Sequence, residues 1–290
     1  MSSLITETMH TNGKVRKINK RLETQYNHIL DILQNEHGNA PNLINKYSGE
    51  YCFVKEFSPS RSNVIAWLPL QRKDEILELN AGCGAVTEYL TNKVKQVDCI
   101  EESEVQCQIN RIRNQSAHNL KIYQGTVKEN YDRLHNKRYD YVIIWDRIND
   151  ISLDDIRSLI KPKGYMVIVA DNRYGLKYWN GSADNMEYFE SLYSGEYGVD
   201  KDQVLQQLCD VGFTDITLYY PYPDYRSTRR IYSDEYLPKL GELNENFYFG
   251  GEKRLVLFEE TKVYNQLIEQ KKYVEFSNSY IFVAVKEEIS

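Results

Sequence analysis

Apolar positions in the middle of the chain fall into short runs separated by stretches of helical spacing. Ile76, Leu77 and Leu79 form a run broken only by Glu78 and predict a strand over 76–80. The chain then breaks into Gly82-x-Gly84 and resumes at helical spacing to about residue 93. Further runs predict strands at 97–100, 120–123, 139–145 and 165–170. Between them, Val105, Ile109 and Ile112 mark a helix over 103–115, and Leu153, Ile156, Leu159 and Ile160 mark one over 152–160. The continuous apolar runs at 139–145 and 165–170 suit parallel strands covered on both faces. Strands alternating with helices predict a doubly wound, mostly parallel α/β sheet with right-handed crossovers. A helix over 201–211 and strands at 214–220 and 280–285 bring the expected Rossmann-like sheet to seven strands.

The flanking regions read differently. Residues 1–12 are expected to fray, and Ile18, Leu22, Tyr26, Ile29, Ile32 and Leu33 predict an amphipathic helix between Lys14 and Gln34. A second helix is expected from Ser60 to Leu68, stopped by Pro69, and Lys161–Gly164 reads as a helix stop and turn. The polar stretch 182–199 reads as a lid. Residues 221–279 are too many for a hairpin connection and predict an insertion with its own structure. The expected organisation is a helical extension over 1–70, a nucleotide-binding core over 71–220, an acceptor-covering insertion over 221–279 and a last core strand over 280–290.

A strand, a glycine turn and a helix N-terminus together form a cofactor site in such sheets. The turn needs glycine because the backbone bends sharply and must approach the ligand, and the helix end offers free N–H groups. Glu101 ends the second strand about 20 residues on, where these folds place a ribose-binding acid. Gln124, Gly125 and Thr126 end the third. Asp146 and Asp171 follow the fourth and fifth strands, where open α/β sheets bind ligands. Asp171 opens a stretch to Gly181 that combines an amide, cations and three aromatic rings.

On these residues the chain resembles the class I S-adenosylmethionine-dependent methyltransferases. Their first motif reads acid-x-Gly-x-Gly-x-Gly, and here it stands as Glu78-x-Asn80-x-Gly82-x-Gly84, with Asn80 in place of the first glycine. Asn tolerates unusual backbone angles better than most residues. From about residue 57 onward the chain is also similar to a bacterial group associated with surface-polysaccharide and glycosyltransferase gene clusters. The similarity lies in Ser58-Pro59-x-Arg61-x-Asn63-Val64, in Asp171-Asn172-Arg173-x-Gly175-Leu176-Lys177-Tyr178, in Pro221-x-Pro223-Asp224-Tyr225 and in Phe276-Ser277-Asn278-Ser279. The resemblance implies a reversed last strand and S-adenosylmethionine as cofactor. It implies that Glu78, Asn80, Gly82, Cys83, Gly84, Glu101, Gln124, Gly125 and Thr126 hold that cofactor. Asp146, Asp171 and Asn172 become catalytic candidates, and Arg173, Tyr178, Tyr225 and Arg226 acceptor-binding ones. Arg61 reads either as a helix-surface charge or as a clamp near the cofactor carboxylate or the acceptor. The implied reaction is methyl transfer to a small-molecule or glycan acceptor, with a hydroxyl of a sugar or sugar-phosphate foremost. Asp146 with Asp171-Asn172 also repeats the magnesium-holding pattern of catechol-type O-methyltransferases, but the polysaccharide-associated resemblance implies no metal.

The net charge of −6 argues against a general nucleic-acid binder. Five scattered cysteines without a CxxC pair suit reduced thiols in the cytoplasm, and no apolar run is long enough for a membrane span. Two other readings stay open: a catalytically degenerate scaffold, favoured by Asn80, and a nicotinamide-dependent oxidoreductase, whose fingerprint wants glycine where Thr87 stands. The acceptor atom and the oligomeric state are left open by the sequence.

Overall fold

The computed structural model describes residues 8–11, 14–17, 20–36, 40–146, 148, 151–182, 189–194, 197–245 and 255–287. Among them ten strands follow one another: β1 (Thr8–Thr11), β2 (Lys14–Lys17), β3 (Glu75–Leu79), β4 (Gln96–Glu101), β5 (Leu120–Gln124), β6 (Tyr139–Trp145), β7 (Ile160–Asp171), β8 (Phe213–Tyr222), β9 (Arg230–Ser233) and β10 (Ser279–Lys286). β1 and β2 pair only with each other. The other eight form one sheet in the order β5-β4-β3-β6-β7-β10-β8-β9. Strands β3 to β7 are mutually parallel, and β10 lies antiparallel between β7 and β8.

Alternation along each strand divides the core. Leu77, Leu79, Val142, Ile144, Met166 and Ile168 face one side, with Leu153, Ile156, Val204 and Leu208 packed over them. Ile76, Val97, Cys99, Ile143, Val167 and Val169 face the other, under Val64, Ile65, Val86 and Leu90. Burial on both faces explains the unbroken apolar runs of β6 and β7.

Several expectations need correction. The sheet has eight strands, not seven. The insertion supplies β9, where Tyr232 is buried and Ile231 packs on the core, covering the edge that β8 would otherwise expose. The stretch from Lys14 is not helical at its start: Lys14–Lys17 is a strand, and the helix runs Lys20–Glu36. The helix does stop before Lys161, at Leu159, but Lys161–Gly164 belongs to the start of β7 and not to a separate turn. Lys163 takes a positive φ of 62°, and the pairing with β6 shifts between Tyr139 and Tyr141, so the turn residues are absorbed as an irregularity. The helix expected at 60–68 is a 3-10 helix at Pro59–Val64, because Ile65 N–H bonds back three residues to Ser62 O at 3.1 Å. Before it come helices Ala40–Lys46 and Tyr51–Phe57.

These N-terminal helices cover the glycine turn. Ile29, Leu33, Phe53 and Phe57 cluster with Cys83 of the turn and Ile109 of the next helix. No described helix is long and apolar enough to cross a membrane. The fray expected over 1–12 needs correction at Thr8–Thr11, which pairs with Lys14–Lys17 as β1; residues 1–7 and 12 lie outside the described residues, as does much of the expected lid, at 183–188 and 195–196.

Candidate functional site

A cleft opens at the carboxyl ends of β3, β4 and β6, with about 560 Å³ of empty space including its mouth. Its floor is the turn after β3. Asn80 adopts a left-handed φ of 57°, and its side-chain amide donates to Trp145 O at 2.9 Å. Asn is one of the residues that reach this region without large strain, and here the side chain also ties β3 to β6. Gly84 has φ 73°, and a Cβ there would lie 2.4 Å from Asn110 Oδ1, so the turn packs against helix Glu104–Arg113 only with glycine. Gly82, at φ 56°, lines the cleft.

Glu101 lies buried beside the Gly82 turn without itself lining the cleft. One carboxylate oxygen accepts from Gly82 N–H at 2.9 Å, and the other accepts from Ser103 N–H at 2.8 Å. Both oxygens are thereby oriented by backbone donors. Gly125 N–H donates to Glu101 O at 2.9 Å, which sets Gln124, Gly125 and Thr126 beside it, although none of the three lines the cleft itself.

Glu78 is fully buried beneath the turn. It accepts from Thr87 Oγ1 at 2.6 Å, Trp145 Nε1 at 2.9 Å and Cys99 Sγ at 3.2 Å. Burial raises its carboxyl above the ordinary range, and the three donors oppose that rise. Glu78 therefore binds β3, β4, β6 and the following helix together, and part of it also reaches the cleft wall. Cys83 points the other way, into the apolar cluster under the N-terminal helices, and burial raises its thiol.

The opposite wall is Trp145, Asp146, Tyr225, Arg226 and Arg61. Asp146 takes a φ of 47° just past β6, and 36% of its side chain stays exposed. The Tyr225 hydroxyl donates to it, and Arg226 Nη2 lies 3.5 Å away. Its carboxyl is raised by desolvation, lowered by Arg226 and raised again by neighbouring Asp171. The Tyr225 phenol is also pushed up, chiefly by burial. The Tyr225 ring lies under two guanidiniums, with Arg226 Cζ 4.1 Å and Arg61 Cζ 5.6 Å from its centroid.

Behind this wall lies a buried charge network. Lys177 Nζ donates to Asp171 Oδ1 and to Asp224 Oδ2, each at 2.5 Å. Arg226 Nη1 donates to Asp171 Oδ2 at 2.8 Å, and Ser279 Oγ donates to Asp224 Oδ2 at 3.1 Å. Lys177 and Asp224 are wholly buried. The carboxyl of Asp224 also caps the 3-10 turn Tyr225–Ser227 through Arg226 N–H at 2.8 Å. The network thus clamps the start of the insertion to the end of β7.

Candidates from the 171–181 stretch serve this scaffold more than the cleft. The Asn172 amide donates to Glu275 O at 2.8 Å and Ser277 O at 2.7 Å, and its oxygen accepts from Tyr174 N–H at 2.9 Å. Tyr178 is buried, with Lys177 Nζ 5.0 Å from its ring centroid. Neither Asp171, Asn172, Arg173 nor Tyr178 lines the cleft. Sequence reasoning missed Lys177, and also Trp145 and Gln106, which line it. The signal for Lys177 was its place among rings and amides just after a central strand.

No family model matches the chain, and no curated protein matches it in sequence. Solved structures do match. A chain of the Haloferax volcanii complex between the Trm112 methyltransferase activator and its methyltransferase aligns at TM-score 0.50 and 14% identity, covering 89% of this chain and 98% of that one. The chain has a methyltransferase fold. A SAM-dependent methyltransferase from Archaeoglobus fulgidus aligns at TM-score 0.49 and 16% identity, covering 84% and 98%. A phosphoethanolamine N-methyltransferase from Haemonchus contortus, solved with S-adenosyl-L-methionine, aligns at 0.49 and 17%, covering 89% of this chain and 60% of that one. At these identities the likeness is one of fold.

Proposed function

We propose that the protein is an S-adenosylmethionine-dependent methyltransferase acting on a hydroxyl of a small-molecule or glycan acceptor in the cytoplasm. The observation that carries this reading is Glu101, whose two oxygens are fixed by Gly82 and Ser103 at the edge of a left-handed glycine turn. That arrangement suits a ribose diol at the carboxylate and a backbone approach at Gly82 and Gly84. In this reading the base lies toward Gln124–Thr126, which adjoin Glu101 through the Gly125 N–H bond but do not line the cleft. When bound, S-adenosylmethionine supplies an electrophilic methyl group.

The chain's own part is to position the acceptor and take its proton. Asp146 accepts the hydroxyl proton as general base, because it alone among the three catalytic candidates opens into the cleft. Tyr225 and Arg226 orient Asp146 through Oδ2, and Asp171 N–H donates to Oδ1 at 3.3 Å, so the acceptor hydroxyl would share Oδ1 through its remaining lone pair. Trp145 and Tyr225, whose ring centroids lie 6.4 Å apart, give the cleft wall an aromatic edge against which the acceptor would lie. Insertion residues 221–279 would cover the acceptor.

The reading involves no metal. The Asp171 carboxylate is held by Lys177 and Arg226, and the Asn172 amide by backbone carbonyls, so two of the three magnesium-type ligands are already committed. Exhaustive chelation is expected to leave methyl transfer unchanged; loss restored by magnesium would overturn this part.

The test of the function itself is calorimetric titration with S-adenosylhomocysteine, followed by transfer of labelled methyl groups to sugars and sugar phosphates. Glu101→Ala is expected to weaken S-adenosylhomocysteine by about tenfold to a hundredfold, the scale of losing charge-assisted hydrogen bonds. Unchanged affinity would remove Glu101 from the site.

A further inference from the structure

The cations around the cleft are not equally matched. Arg226 is met by Asp171, Asp224 and Asp146, Lys177 by Asp171 and Asp224, and Arg113 by Glu88. Arg61 differs from all three. It lines the same cleft, yet its Nε and Nη1 are buried and have no hydrogen-bond partner among the described residues. Its guanidinium makes no ion pair with a described carboxylate; its close neighbour is the face of Tyr225. A buried guanidinium N–H without an acceptor costs free energy, and a guanidinium offers a planar fork that matches carboxylate and phosphate oxygens.

The position of Arg61 is also built, not incidental. The 3-10 helix Pro59–Val64 that carries it packs on the turn Tyr225–Ser227. The Asn63 amide donates to Thr228 O at 2.9 Å, locking the two together. Val64 and Ile65, the next residues, are fully buried. The backbone beneath Arg61 is therefore fixed, and its head is held over Tyr225 at the cleft wall.

We infer that Arg61 is an anion-recognition site, taking a carboxylate or phosphate group of a molecule bound in the cleft. The inference rests on the cofactor reading above for the identity of one of its two sources. The anion is either the amino-acid carboxylate of the cofactor or an acidic group on the acceptor. Both share the chemistry of two oxygens presented to Nε and an Nη.

The experiment uses the full chain, Arg61→Gln and Arg61→Lys, with circular dichroism to verify that the variants fold. Each is titrated with S-adenosylhomocysteine and with 5′-methylthioadenosine, which keeps the nucleoside and sulfur but lacks the amino-acid carboxylate. Each is also heated with and without inorganic phosphate after saturation with S-adenosylhomocysteine. If the cofactor supplies the anion, R61Q weakens S-adenosylhomocysteine about tenfold or more and leaves methylthioadenosine unchanged. If the acceptor supplies it, both nucleosides bind all forms alike, and phosphate raises the melting temperature of the wild type but not of R61Q. R61K, which keeps charge but loses the fork, should fall between the two. Equal nucleoside affinities together with equal phosphate responses in wild type and R61Q would overturn the inference. Should the wild type bind neither nucleoside, the cofactor reading fails by itself. The phosphate response of the unliganded protein then decides the anion site alone: a rise lost in R61Q upholds it, and no difference sinks it.

Discussion

Lys177→Met is expected to destabilise the protein by about 3–5 kcal/mol, the scale of removing one partner from a buried ion pair. Its ammonium is wholly buried between Asp171 and Asp224, and Met fills similar space without charge. After the substitution Asp171 still has Arg226 at 2.8 Å, but the charged partner left to Asp224 is the same guanidinium at 3.7 Å, with the neutral donors Ser279 Oγ and Arg226 N–H beside it. The uncompensated carboxylate of Asp224 is the source of the loss. Lys177→Met with Asp224→Asn should therefore recover part of it, since the double change removes the stranded charge. Urea unfolding of the three proteins measures both numbers. A K177M protein as stable as the wild type would show that the network contributes no more than a surface pair.

Asp146→Asn is expected to lower kcat by about 10²–10⁴-fold, the range for loss of a general base, with S-adenosylhomocysteine affinity unchanged. The pH dependence carries the sign. A base must be ionised, so activity falls as pH drops through the Asp146 pKa, and burial places that fall above the ordinary aspartate range. Arg226 acts against the rise, so Arg226→Gln should move the acid limb to still higher pH. An acid limb at the ordinary aspartate value, or full activity in D146N, would remove Asp146 from proton transfer.

What the sequence disclosed was local. The strand, the glycine turn and Glu101 are set by spacing within a single β-turn-α-β unit, so their geometry follows from residues close together in the chain. Asn80 is legible for the same reason: a position that demands a left-handed backbone tolerates Asn, and the side chain then finds the nearest carbonyl on β6. The opposite wall depends on pairs far apart in sequence. Lys177 meets Asp224 across 47 positions, Asp171 meets Arg226 across 55, and Asn172 reaches Ser277 O across 105. No periodicity encodes such partners. Asp171, Asn172 and Tyr178 drew notice because polar and aromatic residues follow a central strand, and the fold spends them inward. β9 was hidden because Arg230–Ser233 is short, and its value as a strand arises only from the edge that β8 leaves open.

The place of β10 between β7 and β8 has a consequence for the order of folding. Strands β3 to β7 come from one continuous stretch, and each pairs with a neighbour without waiting for later sequence. β8 has no partner on its inner edge until β10 arrives, and β10 must first close a long loop to set Ser279 opposite Asp171. Such closures are entropically costly before any contact offsets them, which slows pairing between distant segments. Asp171, Asp224 and Ser279 come together only when that strand is seated. The Gly82 turn with Trp145 and Asp146 is thus expected to assemble early and Tyr225 and Arg226 to join late, so a chain halted between the two steps would hold Asp146 without the hydroxyl and guanidinium that flank it.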